Sequence, residues 1–295
     1  MTMTQTNDSP QSWQWRVRSQ EFDLRRKTLV MGILNLTPDS FSDGGQFADS
    51  GKAIEHGVSM LAGGADIIDI GAESTRPSRT EEMTPELEWQ RLEPVISGLR
   101  AHHPGCVLSV DTYRGETAER ALAAGVDIIN DIFALRRSPE IARYCAAHGA
   151  GLILMHMQGT PETMQENPTY DNVLADIRQE LRTAMDTAMA AGLPEQCIAV
   201  DPGIGFGKNL DHNIEILAGL EYLRLMQRPI CVGASRKWFL GKLTGDQPVT
   251  EREEQTIAAH CAAVLHGATI IRTHNVKAAV RSLAVIDAIR AQSEF

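Results

Sequence analysis

One pattern limits the folds open to this chain more than any other. A short run of Ile, Val and Leu, a polar or glycine-rich connection and a helical stretch recur eight times. The runs lie at 29–34, 67–70, 107–110, 127–129, 152–155, 198–200, 230–232 and 269–271. Helical periodicity fills 50–63, 85–101, 115–124, 138–148, 171–191, 211–226, 252–266 and 276–291. The runs are apolar throughout instead of alternating, the pattern of parallel strands covered on both faces by helices. Eight such units in 295 residues predict an α/β chain folded as a (β/α)8 TIM barrel. An open doubly wound sheet would bind ligand only at its switch point. Here every run is followed by polar groups: Asn35; Glu73, Ser74 and Thr75; Asp111; Asn130; His156; Asp201; Ser235; and Arg272. Barrel enzymes keep their active sites in such a ring at the carboxyl ends of the strands.

Before the first run, Trp13, Trp15 and Val17 alternate with polar residues, and Phe22 and Leu24 do so after a polar turn. This predicts a short hairpin capping the amino end of the barrel, with the tryptophans as a plug. The expected division is 1–27 for a polar tail and hairpin and 28–295 for a single barrel domain. With 38 acidic against 28 basic residues the net charge is −10, which disfavours a broad nucleic-acid-binding face. A small anion is still admissible if the cations gather in one cleft. No apolar run approaches the ~18 residues of a membrane span, and the N-terminus lacks the apolar stretch of a secretory signal. Five irregularly spaced cysteines fit reduced thiols. A cytoplasmic protein without membrane or nucleic-acid partners is expected.

The first long connection, 35–45, offers oxygen donors from Asn35, Asp39, Ser40, Ser42 and Asp43, suited to Mg²⁺ bridging phosphates. The second, 73–78, adds Arg76. Asp111, Asn130 and Asp201 end three different strands and should converge on one mouth. Such a trio can hold either a heterocycle with several N–H donors or a divalent metal. The neutral Asn130 and the lack of a His or Cys at ligand spacing favour the heterocycle. Asp201–Lys208 is glycine-rich but is no Walker loop, because Asn209 stands where Ser or Thr would be needed. Its glycines permit a tight turn and close approach to a ligand, with Phe206 as a pocket wall. Lys237, Arg272 and His274 should form an anion site. His102, His103 and Cys106 read as a helix–strand connection, Cys145 and His148 as helix packing, and Met185 and Met189 as helix core. His156 reads as pocket floor or as a supporting residue beneath it.

These segments together resemble the dihydropteroate synthase family from about residue 28 to the C-terminus. The resemblance rests on Met31-Gly-Ile-Leu-Asn-Leu-Thr-Pro-Asp-Ser-Phe-Ser-Asp-Gly-Gly45 and Asp69-Ile-Gly-Ala-Glu-Ser-Thr-Arg-Pro77. Ser109-Val-Asp-Thr112, Asn130-Asp131, Met155-His-Met-Gln-Gly159, Asp201–Lys208, Ser235-Arg-Lys237 and Arg272-Thr-His274 follow in the family's order. It implies a barrel that forms homodimers and joins 6-hydroxymethyl-7,8-dihydropterin diphosphate to p-aminobenzoate. The implied pterin diphosphate site is Thr75, Asp111, Asn130, Asp201, Lys237, Arg272 and His274. The p-aminobenzoate site would be Thr75, Arg76, Pro77, Phe206 and Ser235, shaped also by Lys237. Asn35 would support Mg²⁺, and Lys237, Arg272, His274 and Asn35 would carry catalysis. Ala72, Tyr113-Arg114 and Asn275 depart from the more usual Gly, Ser-Lys and Asp.

That chemistry needs cations for a departing pyrophosphate and no strong general base, so an S_N1-like displacement is expected. A pterin-binding methyltransferase barrel would share the Asp, Asn and Asp clamp but would need no diphosphate site. A catalytically silent pterin-binding barrel would be expected to lack Asn35, Lys237 or His274, and all three are present.

Overall fold

The computed structural model describes residues 13–36, 45–73, 83–160 and 163–293. After a hairpin of β1 (Gln14–Val17) and β2 (Gln20–Asp23), the apolar runs become eight parallel strands. These are β3 (Leu29–Asn35), β4 (Ile67–Gly71), β5 (Val107–Asp111), β6 (Ile128–Asp131), β7 (Gly151–Met155), β8 (Ile198–Asp201), β9 (Cys231–Val232) and β10 (Ile270–Thr273). Their order is β8-β7-β6-β5-β4-β3-β10-β9. A parallel bridge between Val200 and Ile230 joins the two ends and closes the cylinder. The (β/α)8 barrel expected from the pattern is therefore the fold.

The outer layer holds α1 (Gly45–Ala62), α2 (Pro85–His102), α3 (Gly115–Ala123), α4 (Glu140–His148) and α5 (Val173–Ala190), then α6 (Leu210–Ala218), α7 (Trp238–Leu243), α8 (Glu253–Leu265) and α9 (Val276–Ser293). Two helical expectations needed correction. The stretch 211–226 is not one helix: α6 ends before Gly219, and a 3₁₀ turn covers Leu220–Met226. The short α7 was not expected, because six residues are too few to display a 3.6-residue period. Asn209 acts locally, since its side chain accepts the His212 N–H at 2.8 Å and caps α6.

The continuous runs bury two different faces. Outward residues such as Leu34, Ile68, Ile70, Val110 and Leu152 pack against Leu92, Leu99, Ile177 and Leu181 of the helices. Inward residues Ile67, Val107, Ile128, Ile153, Ala199, Cys231 and Ile270 meet Trp13, Trp15, Val17 and Leu24 of the hairpin segment. The hairpin thus plugs the amino end, as its alternation predicted. Trp15 is wholly buried, and its Nε1 donates to the Cys197 carbonyl at 3.1 Å. The connection carrying His102, His103 and Cys106 is held by Arg100, whose guanidinium donates to the Gly125 carbonyl at 2.7 Å and pairs with Asp127. Cys145 and Met185 are buried among the helices. No helix among the described residues is long and apolar enough to cross a membrane.

Candidate active site

Side chains of a strand alternate between faces, so the inward layer above the apolar plug is found two residues further along. That step leads from Ile67 to Asp69, from Val107 to Ser109 and on to Asp111, and from Ile128 to Asn130. It leads likewise from Ala199 to Asp201 and from Ile270 to Arg272. The strand period itself therefore gathers the polar groups in the carboxyl half of the barrel. Register then aligns Asn35, Gly71, Asp111 and Asn130 in one row across four strands. Gly71 leaves a gap in that row. A methyl group on it would lie 3.7 Å from Asn35 Oδ1 and 3.9 Å from Asp111 Oδ2, so both oxygens border the same space.

Arg272 crosses this interior. Its Nε donates to Asp69 Oδ2 at 2.6 Å and its Nη2 to Asp111 Oδ2 at 2.9 Å. Asn130 Nδ2 donates to the same Asp69 oxygen at 3.2 Å. Burial opposes charge on Arg272, but the two carboxylates outweigh it and push its pKa up. Burial raises Asp111 to about 7, against the pull of Arg272 and helped by Asp69. Asp201 is also raised by burial, although its Oδ1 accepts the Gly203 N–H at 2.7 Å and Lys237, Arg272 and Lys208 favour its charge. Arg272 is thus held between two carboxylates within this interior.

Lys237 sits at the N-cap of α7 and is half-buried. Burial lowers its ammonium to about 7, and Arg272 adds to the shift while Asp201 and Asp111 resist it. Its Nζ stands 3.8 Å from the centroid of the Phe206 ring. The Ser235 hydroxyl accepts the His274 backbone N–H at 3.2 Å and lies 2.9 Å from His274 Nδ1, tying the ends of β9 and β10 together. Phe206 packs with Tyr113 on a wall of Ile132, Phe133, Met155, Met157 and Met164.

The glycines after Asp201 serve the protein's own packing. Gly203 has φ +69°, and a methyl there would stand 1.9 Å from the His156 carbonyl oxygen. At Gly207, with φ +61°, a methyl would stand 2.5 Å from the Gln158 carbonyl oxygen. The close approach is therefore to the exit of β7. His156 does not form the pocket floor: its Nδ1 lies 3.0 Å from Lys208 Nζ, and its Nε2 lies 3.5 Å from Glu180 on α5. Burial lowers its pKa to about 4.

Tyr113 and Arg114 build a network at the end of β4. Arg114 donates to the Tyr113 hydroxyl at 2.8 Å and pairs with Glu73 and, at 3.4 Å, with Glu88. The Tyr113 hydroxyl donates to Glu73 at 3.3 Å. Asp39, Ser40, Ser42, Asp43, Ser74, Thr75, Arg76 and Pro77 lie outside the described residues. Among the described residues no group of three His, Cys, Asp or Glu is placed to hold a metal.

Asp69 and Lys208 were not expected as site components. Asp69 is fully buried inside an apolar run, and that was its signal: an ionisable group in a parallel strand must have a partner. Lys208 gave no local signal beyond its place after the glycines.

Residues 31–274 match the family of pterin binding enzymes. A dihydropteroate synthase of Synechocystis is 44% identical over 269 residues, covering 91% of this chain and 92% of the relative. A mitochondrial folate synthesis bifunctional protein of Arabidopsis thaliana is 42% identical over 281 residues, 91% of this chain; the chain spans 50% of that relative's length. The structure of Xanthomonas albilineans dihydropteroate synthase with 4-aminobenzoic acid superposes with a TM-score of 0.86 at 39% identity, covering 94% of this chain and 99% of the other.

Proposed function

The chain belongs to the family of pterin binding enzymes, with dihydropteroate synthases as its relatives, and on that premise we propose its reaction. It condenses 6-hydroxymethyl-7,8-dihydropterin diphosphate with p-aminobenzoate to give 7,8-dihydropteroate and pyrophosphate, a step of folate biosynthesis. One observation supports this most: Asp111, Asn130 and Asp201 share one interior with Arg272 and Lys237, so acceptors for a flat base adjoin cations for its diphosphate.

Asp201 takes the guanidine-like edge of the pterin through paired hydrogen bonds, and Asp111 and Asn130 hold the rest of the ring. Arg272 lies over the ring, anchored by Asp69. The C–O bond to the diphosphate breaks with its electron pair leaving on pyrophosphate. The conjugated ring carries the positive charge left on the methylene carbon. The amine lone pair then forms the C–N bond, and the amine proton passes to solvent. Lys237, Arg272, His274 and Arg76 offset the growing charge on the leaving group. Phe206, Ser235, Thr75, Arg76 and Pro77 frame the p-aminobenzoate pocket. Asn35 Oδ1 and Asp111 Oδ2 border the gap at Gly71, and oxygen donors suit a hard cation, so Asn35 would hold Mg²⁺ on the diphosphate. Mg²⁺ supplies charge neutralisation there when bound.

The protein works in the cytoplasm as a homodimer in this reading. Leu265 on α8 and Val285 on α9, 55% and 59% exposed on helices packed side by side, supply apolar surface for the contact. The decisive assay incubates purified protein with the pterin diphosphate and Mg²⁺, with and without p-aminobenzoate. Amine-dependent release of pyrophosphate together with 7,8-dihydropteroate is expected. No pteroate product would overturn the reading.

A further inference from the structure

Lys208 is fully buried, second in size only to Trp15 among such side chains of the described residues. No step of the reaction uses it. A buried lysine is costly, so its contacts must return the expense. Its Nζ donates to the Phe206 carbonyl at 2.9 Å, stands 3.0 Å from His156 Nδ1, and lies 3.5 Å from the His156 carbonyl. Three acceptors face a group with three donors, a set that neither a planar guanidinium nor an amide reproduces. His156 is itself held from behind by Glu180.

The other supports of this loop grip its glycines. Asn213 Oδ1 accepts the Gly205 N–H at 2.6 Å, Gln165 donates to the Gly205 carbonyl at 3.0 Å, and Tyr170 donates to the Gly207 carbonyl at 2.7 Å. Among these side chains Lys208 alone grips the Phe206 carbonyl. The other end of that residue is tied by its N–H to the Gly203 carbonyl at 3.0 Å. Its ring then meets Lys237.

We propose that Lys208 is a positioning residue for the p-aminobenzoate pocket: backed by His156, it fixes the Phe206 carbonyl and thereby sets the ring that faces Lys237. This rests on the reading that Phe206 walls that pocket. Without Lys208 the glycines remain tied, so the loop persists while the Phe206 ring loses its setting. Burial lowers the Lys208 amine to about 7, against the pull of Asp201 and Glu180.

The test is a double-mutant cycle of Lys208→Met and Phe206→Leu, with KM measured for each substrate. Lys208→Met is expected to raise KM for p-aminobenzoate roughly tenfold and leave that for the pterin diphosphate within about twofold. In the Phe206→Leu background it should add almost nothing, because its effect passes through that ring. If Phe206→Leu raises KM for p-aminobenzoate and Lys208→Met does not, or if the two effects add in full, the proposal is wrong and the pocket reading stands. If Phe206→Leu leaves KM unchanged, the pocket reading fails and the proposal with it. Should Lys208→Met fold poorly, Lys208→Gln, with fewer donors, should give an intermediate rise; an unchanged KM there also overturns the proposal.

Discussion

At the scale of single residues, the chemistry is governed by groups that must be charged where water is scarce. Arg272 is held by a fixed carboxylate, Asp69, and by a second, Asp111, which also borders the gap at Gly71. Asp111, raised to about 7 by burial, is the partner that faces the open gap, while Asp69 is held by both Arg272 and Asn130 and is the anchor. Asp69→Asn should therefore lower kcat/KM for the pterin diphosphate by about 100-fold, roughly 3 kcal/mol, with little change in circular dichroism. An undiminished kcat/KM would show that Arg272 needs no anchor. Asp111, Asn130 and Asp201 were recognisable because each closes an apolar run. Asp69 signalled only that it had a partner and Lys208 signalled nothing, because those partners lie 203 and 52 positions away along the chain.

At the scale of elements, strands and long helices were readable because each repeats its period several times. The row of Asn35, Asp111 and Asn130 was readable only as strand ends; register made it a row. The glycine segment after β8 shows how an element can be shaped by its neighbour. Gly203→Ala combines a left-handed backbone with a methyl 1.9 Å from the His156 carbonyl oxygen, so it should cost at least about 2 kcal/mol in urea unfolding. Gly105→Ala, where a methyl meets nothing within 4 Å, should be close to neutral. Equal stability of the two variants would refute the packing account.

At the scale of the whole molecule, the two ends of the barrel do separate work. The hairpin closes the amino end and the polar layer occupies the carboxyl end. Trp15→Ala should cost about 3–5 kcal/mol of stability while kcat per folded molecule holds. A fall in kcat with unchanged melting would contradict that separation. His260 on α8 provides a pH test of the shell. Burial lowers its pKa from 6.5 to about 4, so between those values the unfolded chain binds a proton that the folded chain refuses. The stability it permits is present above about 6.5 and is lost as pH falls towards 4. Relative to His260→Gln, the parent protein should lose up to about 3 kcal/mol across that window, measured by urea unfolding at several pH values. A constant difference would show that His260 does not titrate in this way.

Amino-acid order alone determined the barrel, the plug and the ring of polar groups at the strand ends, because each is written in local periods of two and of 3.6 residues. Tertiary structure alone decided that Arg272 rests on Asp69, that the glycines after β8 yield to His156, and that Lys208 grips Phe206 from behind. The reason is closure of the cylinder. Which inward side chains face one another depends on strand register and on the joining of β8 to the strand entering β9, and neither leaves a trace in neighbouring residues.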